Sequence, residues 1–269
     1  MNASPVDAVR QATHSDWFER LARAGHVVSG LLHLLIAYIV ARLAFGDPGN
    51  ADQSGALGLF STSGEGRAAL WVAVIAFVAM ALWRLAEVIV GPHPSDPRAD
   101  DDTGVIDRVK AGSLAVVYVA FAWSAAQFAL GQGKSSGQQN AGISAQLMGS
   151  TFGKLVLVVA GIVVTAVGGY HVYKGVTQSF WDDLKVRDNP AVRITGIVGY
   201  VAKGLVLAGA GILVIVAAIT ADPSKATGVD GAVKTVAGWP AGQLLLILAA
   251  VGLAAYGIYC FVMARFARM

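Results

Sequence analysis

The sequence predicts an all-α integral membrane protein. Six transmembrane helices form three tandem parallel helix-hairpin repeats with pseudo-threefold symmetry, and short interfacial helices occupy the outer loops. Of the 269 residues, 55% are hydrophobic and 14% are charged, whereas about 25% are charged in a soluble domain. Six long apolar runs follow one another. A glycine also precedes Trp or Tyr at one fixed interval in three places: Gly66 and Trp83, Gly153 and Tyr170, Gly242 and Tyr259.

Each apolar run reaches or approaches the roughly 20 residues that a helix needs to cross a hydrocarbon core about 30 Å thick. The first run is as long as a full span and follows a polar segment, so we expect it to be retained rather than cleaved as a signal peptide. The segments between runs are too short to form a separate soluble domain. The predicted spans cover residues 26–45, 68–90, 109–130, 155–176, 196–220 and 243–264.

Each pair of spans encloses a Gly-, Ser- and Ala-rich segment with a weakly amphipathic stretch, at residues 55–60, 141–147 and 231–236. Such a stretch is typical of a short helix in the membrane interface. We therefore predict one membrane domain, 1–269, with a cytoplasmic tail at 1–16 and repeats at 17–91, 103–180 and 190–266. Successive pairs of spans point the same way through the bilayer, which gives a pseudo-threefold axis along the membrane normal.

The distribution of Lys and Arg predicts the orientation. Both termini and the loops after the second and fourth spans share one side, which carries Arg10, Arg20, Arg23, Arg98, Arg108, Lys110, Lys185, Arg187, Arg193, Arg265 and Arg268. The other side carries Arg67, Lys134, Lys154, Lys225 and Lys234. Because cytoplasmic loops carry the excess of positive charge, we expect both termini in the cytoplasm. The same topology explains the formal charge of +3 without a nucleic-acid partner.

The first span of each unit also has a glycine signature. Gly25 and Gly30 recur as Gly199 and Gly204, and Gly112 matches the second glycine of the pair. With the glycine-led second spans, this pattern resembles the bacterial membrane family catalogued as domain of unknown function 1206, in which a helix pair occurs three times. The resemblance covers about Trp17 to Met263. It implies the triplicated architecture and the bacterial plasma (inner) membrane, and it supplies no catalytic residue because the family has no established activity.

The repeated glycines are predicted to serve helix packing. In lipid, helices associate through close backbone approach, which small residues permit. No proline interrupts a predicted span, which favours packing over the broken helices that surround a transported substrate. The predicted packing positions are Gly30, Gly112, Gly204, Gly66, Gly153 and Gly242.

Ionisable residues within apolar spans are costly, and each is therefore a candidate for function. His26 and His33 share one face of the first span, and with His171 they offer ligands for haem b or a quinone. A hydrogen-bonded structural role is the favoured interpretation of all three histidines. No metal site and no catalytic residue is predicted.

A second set of intramembrane polar residues is expected near the cytoplasmic face. Arg84 and Glu87 are three residues apart and can form a local ion pair. Glu87 can alternatively meet Lys174 or Lys203, and an inter-repeat clamp is the favoured interpretation, with a proton or ion relay and snorkelling to the interface as alternatives. The repeat register predicts two layers: Arg84 with His171 and Cys260, and Glu87 with Lys174 and Met263.

The sequence contains no metalloprotease, Cys-x-x-Cys or nucleophile-elbow motif. Its single cysteine, Cys260, excludes an intramolecular disulfide. The absence of catalytic motifs favours a non-enzymatic membrane scaffold or accessory subunit that binds membrane lipids, another membrane protein, or both, with no resident cofactor. Two alternatives stay open. One is a transporter or channel for a small solute, ion or lipid with an axial cavity. The other is a redox protein that binds haem or a quinone.

Overall fold

The computed structural model describes residues 16–90, 104–186 and 189–268. Most of the predicted tail at 1–16 and the loop residues 91–103 lie outside this part of the chain. The described helices, numbered along the chain, are α1 (Asp16–Ala44), α2 (Gln53–Ser61), α3 (Gly64–Val90), α4 (Gly104–Ala129), α5 (Ser136–Met148), α6 (Thr151–Val176), α7 (Pro190–Thr220), α8 (Val229–Ala237) and α9 (Gly242–Phe266). Short 3-10 turns cover Ser179–Asp183 and Pro223–Lys225.

This architecture confirms the predicted fold class. Six of the described helices are long and apolar enough to cross a membrane: α1, α3, α4, α6, α7 and α9. The short helices α2, α5 and α8 lie between the spans of each repeat, where the amphipathic stretches predict them. Repeat 1 is therefore α1–α3, repeat 2 is α4–α6 and repeat 3 is α7–α9. The protein is a multi-pass helical membrane protein.

The closest helix pairs join different repeats. The second span of each repeat packs along the first span of the next, in the pairs α3 with α4, α6 with α7, and α9 with α1. Within repeats, α1 also packs on α3 and α7 on α9, but α4 and α6 do not pack along each other. The described spans thus form a ring that is open between α4 and α6, within repeat 2.

Glycine brings the backbones of α6 and α7 into contact. A Cβ added at Gly168 would lie 2.5 Å from the nitrogen of Ala208 and 2.6 Å from the carbonyl oxygen of Gly204. Gly161 and Gly211 approach one another in the same way further along the pair. At the α1–α9 interface, a Cβ on Gly30 would lie 2.9 Å from the carbonyl oxygen of Gly257. The packing roles predicted for Gly30 and Gly204 agree with this geometry.

The glycines that lead the second spans have a different role from the predicted interspan packing. A Cβ on Gly66 would lie 2.8 Å from the carbonyl carbon of Phe60, and one on Gly153 would lie 2.6 Å from the carbonyl carbon of Leu147. One on Gly242 would lie 2.5 Å from the carbonyl oxygen of Ala237. Phe60, Leu147 and Ala237 lie in the last turn of the preceding short helix, so glycine permits the tight junction between that helix and the span.

Gly112 makes no close backbone approach. Its nearest neighbour would be a methyl carbon of Val88 at 3.7 Å, which is an ordinary van der Waals distance. The predicted packing role of Gly112 is therefore limited to loose contact with α3. The interface between α3 and α4 instead buries aromatic rings, including a T-shaped contact between Phe77 and Phe121 with centroids 5.4 Å apart.

The short helices are joined at one end of the bundle, which we call the short-helix end. The buried hydroxyl of Ser54 on α2 accepts a hydrogen bond of 3.0 Å from the backbone N–H of Ser136 in repeat 2. Asp230 on α8 is also buried, and it accepts one of 2.8 Å from the N–H of Ala51 in repeat 1. These side chains tie α2 to the first residue of α5, and α8 to the segment that precedes α2.

The opposite end, which carries the start of α1 and the end of α9, is the terminal end. Arg23 donates from Nη1 to the carbonyl oxygens of Ala264 and Arg265 at 2.8 and 2.6 Å. The chain after α9 pairs with the segment after α6, where the N–H of Lys185 donates to Phe266 over 2.7 Å and that of Arg268 to Asp183 over 3.0 Å. All three repeats are thereby linked at this end.

Candidate intramembrane polar site

Polar side chains from several spans meet inside the terminal half of the bundle. The ammonium group of Lys203 on α7 donates a hydrogen bond of 2.9 Å to the hydroxyl of Tyr256 on α9 and lies 4.0 Å from the centre of that ring. The imidazole of His33 on α1 also packs on Tyr256, with ring centroids 4.7 Å apart. We call Lys203, Tyr256 and His33 the lysine site.

Close backbone packing positions this site. A Cβ on Gly199 would lie 2.6 Å from the backbone nitrogen and Cα of Tyr256, so glycine allows α7 to approach α9. Lys203 is one turn further along α7, on the same side of the helix. It lies roughly 20 Å along the axis from Pro190, within a helix of 31 residues, which places the ammonium group well inside the span.

Lys203 differs from two other cations of the bundle interior. Nη1 of Arg84 lies 2.7 Å from Oε2 of Glu87, and Lys174 pairs with Asp183. In the described part of the chain, no carboxylate lies within ion-pair distance of Lys203. Burying an ammonium group without a counter-charge costs of the order of several kcal/mol, and the phenol of Tyr256 supplies a hydrogen bond but no charge.

Glu87 does not form the inter-repeat contact favoured by its position in the sequence. It accepts hydrogen bonds from Arg84 and from Nε1 of Trp83, both at 2.7 Å and both within α3. Lys174 contacts Asp183 in the turn that follows its own helix and lies 5.3 Å from the ring centre of Tyr200 on α7. The local i, i+3 pair forms instead because Glu87 lies within reach of both donors on its own helix.

The three candidate histidines have different surroundings. His33 and His171 each use Nδ1 for a hydrogen bond of 2.8 Å to a carbonyl oxygen one turn earlier, at Ser29 and Val167 respectively. A carbonyl oxygen only accepts, so Nδ1 carries a proton, and in the neutral ring Nε2 presents its lone pair. Both side chains are half-buried, whereas His26 is buried. Binding of haem or a quinone by these histidines stays a prediction.

The positions that follow the repeated aromatic residue are equally diverse. Arg84 is held in its ion pair, and His171 packs on Tyr200 with ring centroids 5.8 Å apart. Cys260 is buried, with Sγ 4.0 Å from the hydroxyl of Ser29. Each position therefore has a different chemistry in a similar backbone setting, and the two predicted layers stay a prediction.

Repeat 2 is uncovered at positions that are buried in the other repeats. The repeated aromatic residue is 6% exposed at Trp83 and 0% at Tyr259, but 47% exposed at Tyr170. Three residues earlier, Val167 is 44% exposed, whereas its equivalents Met80 and Tyr256 are 1% and 7% exposed. The repeats thus differ at two positions of the second span, where α6 lacks close packing with its own first span.

The opening between α4 and α6 explains this difference. In repeat 3, Tyr259 packs on Tyr200 of α7 with centroids 5.3 Å apart and on Phe180 at 5.5 Å. The residue equivalent to Tyr200 in repeat 2 is Arg108, on a helix that does not pack against α6. Tyr170 is therefore left without the aromatic neighbours that bury Tyr259.

Sequence reasoning missed two members of the polar site. Tyr256 was not singled out, although the repeat register aligns it with Met80 and Val167. It is therefore the one residue with a polar group at that position of the three repeats. Tyr118 on α4 is half-buried, packs on Phe77 at 6.2 Å, and lies within electrostatic range of Arg84 and Cys260. A tyrosine in the middle of an apolar run was the available signal in both cases.

Comparison with known proteins agrees with the threefold architecture. The model of the family described as Domain of Unknown Function (DUF1206) matches residues 24–91, 109–178 and 198–267. The chain belongs to this family. It is also similar to "Uncharacterized protein YxxB" of Bacillus subtilis (strain 168), with 29% identity over 261 residues that cover 94% of this chain and 92% of that protein. No solved structure matches the chain. The family therefore supports the triplicated membrane architecture and names no activity for the lysine site.

Proposed function

We propose that this family member is a non-enzymatic scaffold of the bacterial plasma membrane, with both termini in the cytoplasm, and that it holds a membrane lipid in the opening between α4 and α6. The observation that carries the proposal is the exposure of Tyr170 and Val167, whose equivalents in repeats 1 and 3 are buried. A lipid acyl chain in the opening would cover these side chains in place of the missing helix contact.

The chemistry of the opening supports a lipid as the occupant. Apolar residues that face the lipid are ordinary on the outside of a membrane bundle. Ile162 is one of them, because it and its equivalents Ile75 and Val251 are 55%, 58% and 60% exposed. Val167 and Tyr170 break this threefold pattern. The side chain of Val167 is apolar and that of Tyr170 is amphipathic. An acyl chain can contact both without leaving a polar group of its own unpaired in the membrane.

Native mass spectrometry of protein released from lipid nanodiscs tests the proposal. We expect the wild-type chain to retain one lipid after delipidating detergent washes. Val167→Trp fills the opening and should abolish that retention. Ile162→Trp adds the same bulk to a surface that faces the bilayer in all three repeats, and it should retain lipid as the wild type does.

Two results would contradict the proposal. One is equal lipid retention by Val167→Trp and Ile162→Trp in preparations that elute as folded protein. The other is a stoichiometric protein partner that protects Tyr170 in native membranes in place of lipid, which would make the chain an accessory subunit whose opening receives a partner helix.

A further inference from the structure

We propose that the lipid held by the protein has an anionic, hydroxyl-bearing phosphate head group, and that this head group binds at the lysine site formed by Lys203, Tyr256 and His33. This inference rests on the proposed lipid-binding function. It adds the chemical class of the ligand and the residues that select it.

The charge of the site argues for an anion. Lys203 uses one of its three donors on the Tyr256 hydroxyl, at 2.9 Å, and two donors are left. Arg84 and Lys174 have carboxylate partners within the protein, whereas among the described residues Lys203 has none within 4.0 Å. A phosphate oxygen would supply the missing counter-charge through a charge-assisted hydrogen bond, which is stronger than a neutral one.

The histidine argues for a hydroxyl on the same head group. Nδ1 of His33 donates to the carbonyl oxygen of Ser29 at 2.8 Å, so in the neutral ring Nε2 is an acceptor that a donor can satisfy. Phosphate alone offers no donor when it is fully ionised. A glycerol-type head group offers both, because its phosphate accepts from Lys203 and its hydroxyl donates to His33.

The two helices that flank the opening both place a side chain near the lysine site or its immediate neighbours. His171 stands on α6, at one side of the opening, and lies within electrostatic range of Lys203. Tyr118 stands on α4, at the other side, and lies within electrostatic range of Cys260 and Tyr256 on α9. Four interior side chains, one each on α1, α4, α6 and α7, are half-buried and so are not fully enclosed by protein: His33, Tyr118, His171 and Lys203. An amphipathic molecule therefore fits better than a soluble ion.

Competition between lipids tests the inference. The full chain is incorporated into nanodiscs that contain equal amounts of phosphatidylglycerol and phosphatidylcholine, and the retained lipid is identified by native mass spectrometry. We expect wild type to prefer phosphatidylglycerol by about tenfold or more. Lys203→Met should reduce the preference to near unity while one lipid is still retained, and Lys203→Arg should keep most of it.

Matched controls separate the lysine site from general attraction to basic residues. Lys154→Met removes a lysine from the other end of a span and should keep the wild-type preference. Raising the salt from about 0.1 M to about 1 M shortens the Debye length from about 10 Å to about 3 Å. Surface attraction would then disappear, but we expect the preference of the interior site to persist.

The outcomes distinguish the two proposals. A wild-type protein that retains lipid without head-group preference overturns the anionic site and leaves the lipid-binding function standing. Retention of no lipid overturns both. A preference unchanged in folded Lys203→Met, lost in high salt, or displaced by free inorganic phosphate also overturns the lipid head-group site. If Lys203→Met does not fold, the wild-type competition decides the question alone.

Discussion

The contact between α6 and α7 offers a direct test of glycine packing, because two adjacent glycines on α6 differ in their surroundings. Gly168 faces α7, where an added Cβ would lie 2.5 Å from the nitrogen of Ala208, 2.6 Å from the oxygen of Gly204 and 2.8 Å from the Cα of Ala208. Gly169 has no atom within 4 Å of the same added carbon. Gly168→Ala and Gly169→Ala therefore make the same chemical change in two environments.

The geometry sets the expected magnitude. Backbone atoms at these distances must retreat by about 1 Å to reach ordinary van der Waals contact. Overpacking of this kind costs about 1–3 kcal/mol, and replacing a helical glycine by alanine gains about 0.5–1 kcal/mol. Gly169→Ala should be neutral or stabilising by that gain. Gly168→Ala should be less stable than Gly169→Ala by the contact cost, about 1–3 kcal/mol.

Unfolding in mixed detergent and SDS, followed by circular dichroism, measures this difference in the free energy of unfolding. The comparison needs no assumption about helix propensity, since both variants share it. Equal stability of Gly168→Ala and Gly169→Ala would refute the claim that direct backbone contact holds α6 to α7.

Three further predictions concern other parts of the molecule. A phosphatase fused at residue 133 should be active outside the cytoplasm and a fluorescent protein fused at the C-terminus should fluoresce; the opposite pattern would reverse the predicted topology. Asp230→Ala removes the buried acceptor of the Ala51 N–H and should lower the free energy of unfolding in SDS by about 1–3 kcal/mol. Asp222→Ala alters an exposed ion pair with Lys225 and should change that free energy by less than about 1 kcal/mol. Equal effects of the two variants would show that the cross-repeat bond contributes nothing. Absorption spectra of oxidised and reduced protein should lack a Soret band, and its presence would show that the protein binds haem.

The spans and short helices could be predicted because their signals are local. Apolar length determines a membrane helix, and a small amphipathic stretch between two spans determines a short one. The glycine interval also located the repeats. The interval alone does not explain why glycine is needed there. The reason is that Gly66 and Gly153 contact the last turn of the preceding short helix.

The polar contacts could not be predicted, because they depend on helix rotation and on which spans touch. The sequence offers Glu87 several cations, and the nearest donors prove to be Arg84 and Trp83 on its own helix. Tyr170 and Tyr259 occupy the same repeat position, and yet one is half exposed and the other buried. Symmetry in sequence therefore predicts equivalent positions, and the lack of close packing between α4 and α6 gives them different environments.

A cryo-electron microscopy map of the full chain in native-lipid nanodiscs would test the central claim most directly. Our account predicts elongated acyl-chain density between α4 and α6, in contact with Val167 and Tyr170, with head-group density that reaches Lys203. Direct packing of α4 on α6, with Tyr170 buried as fully as Tyr259, would contradict it.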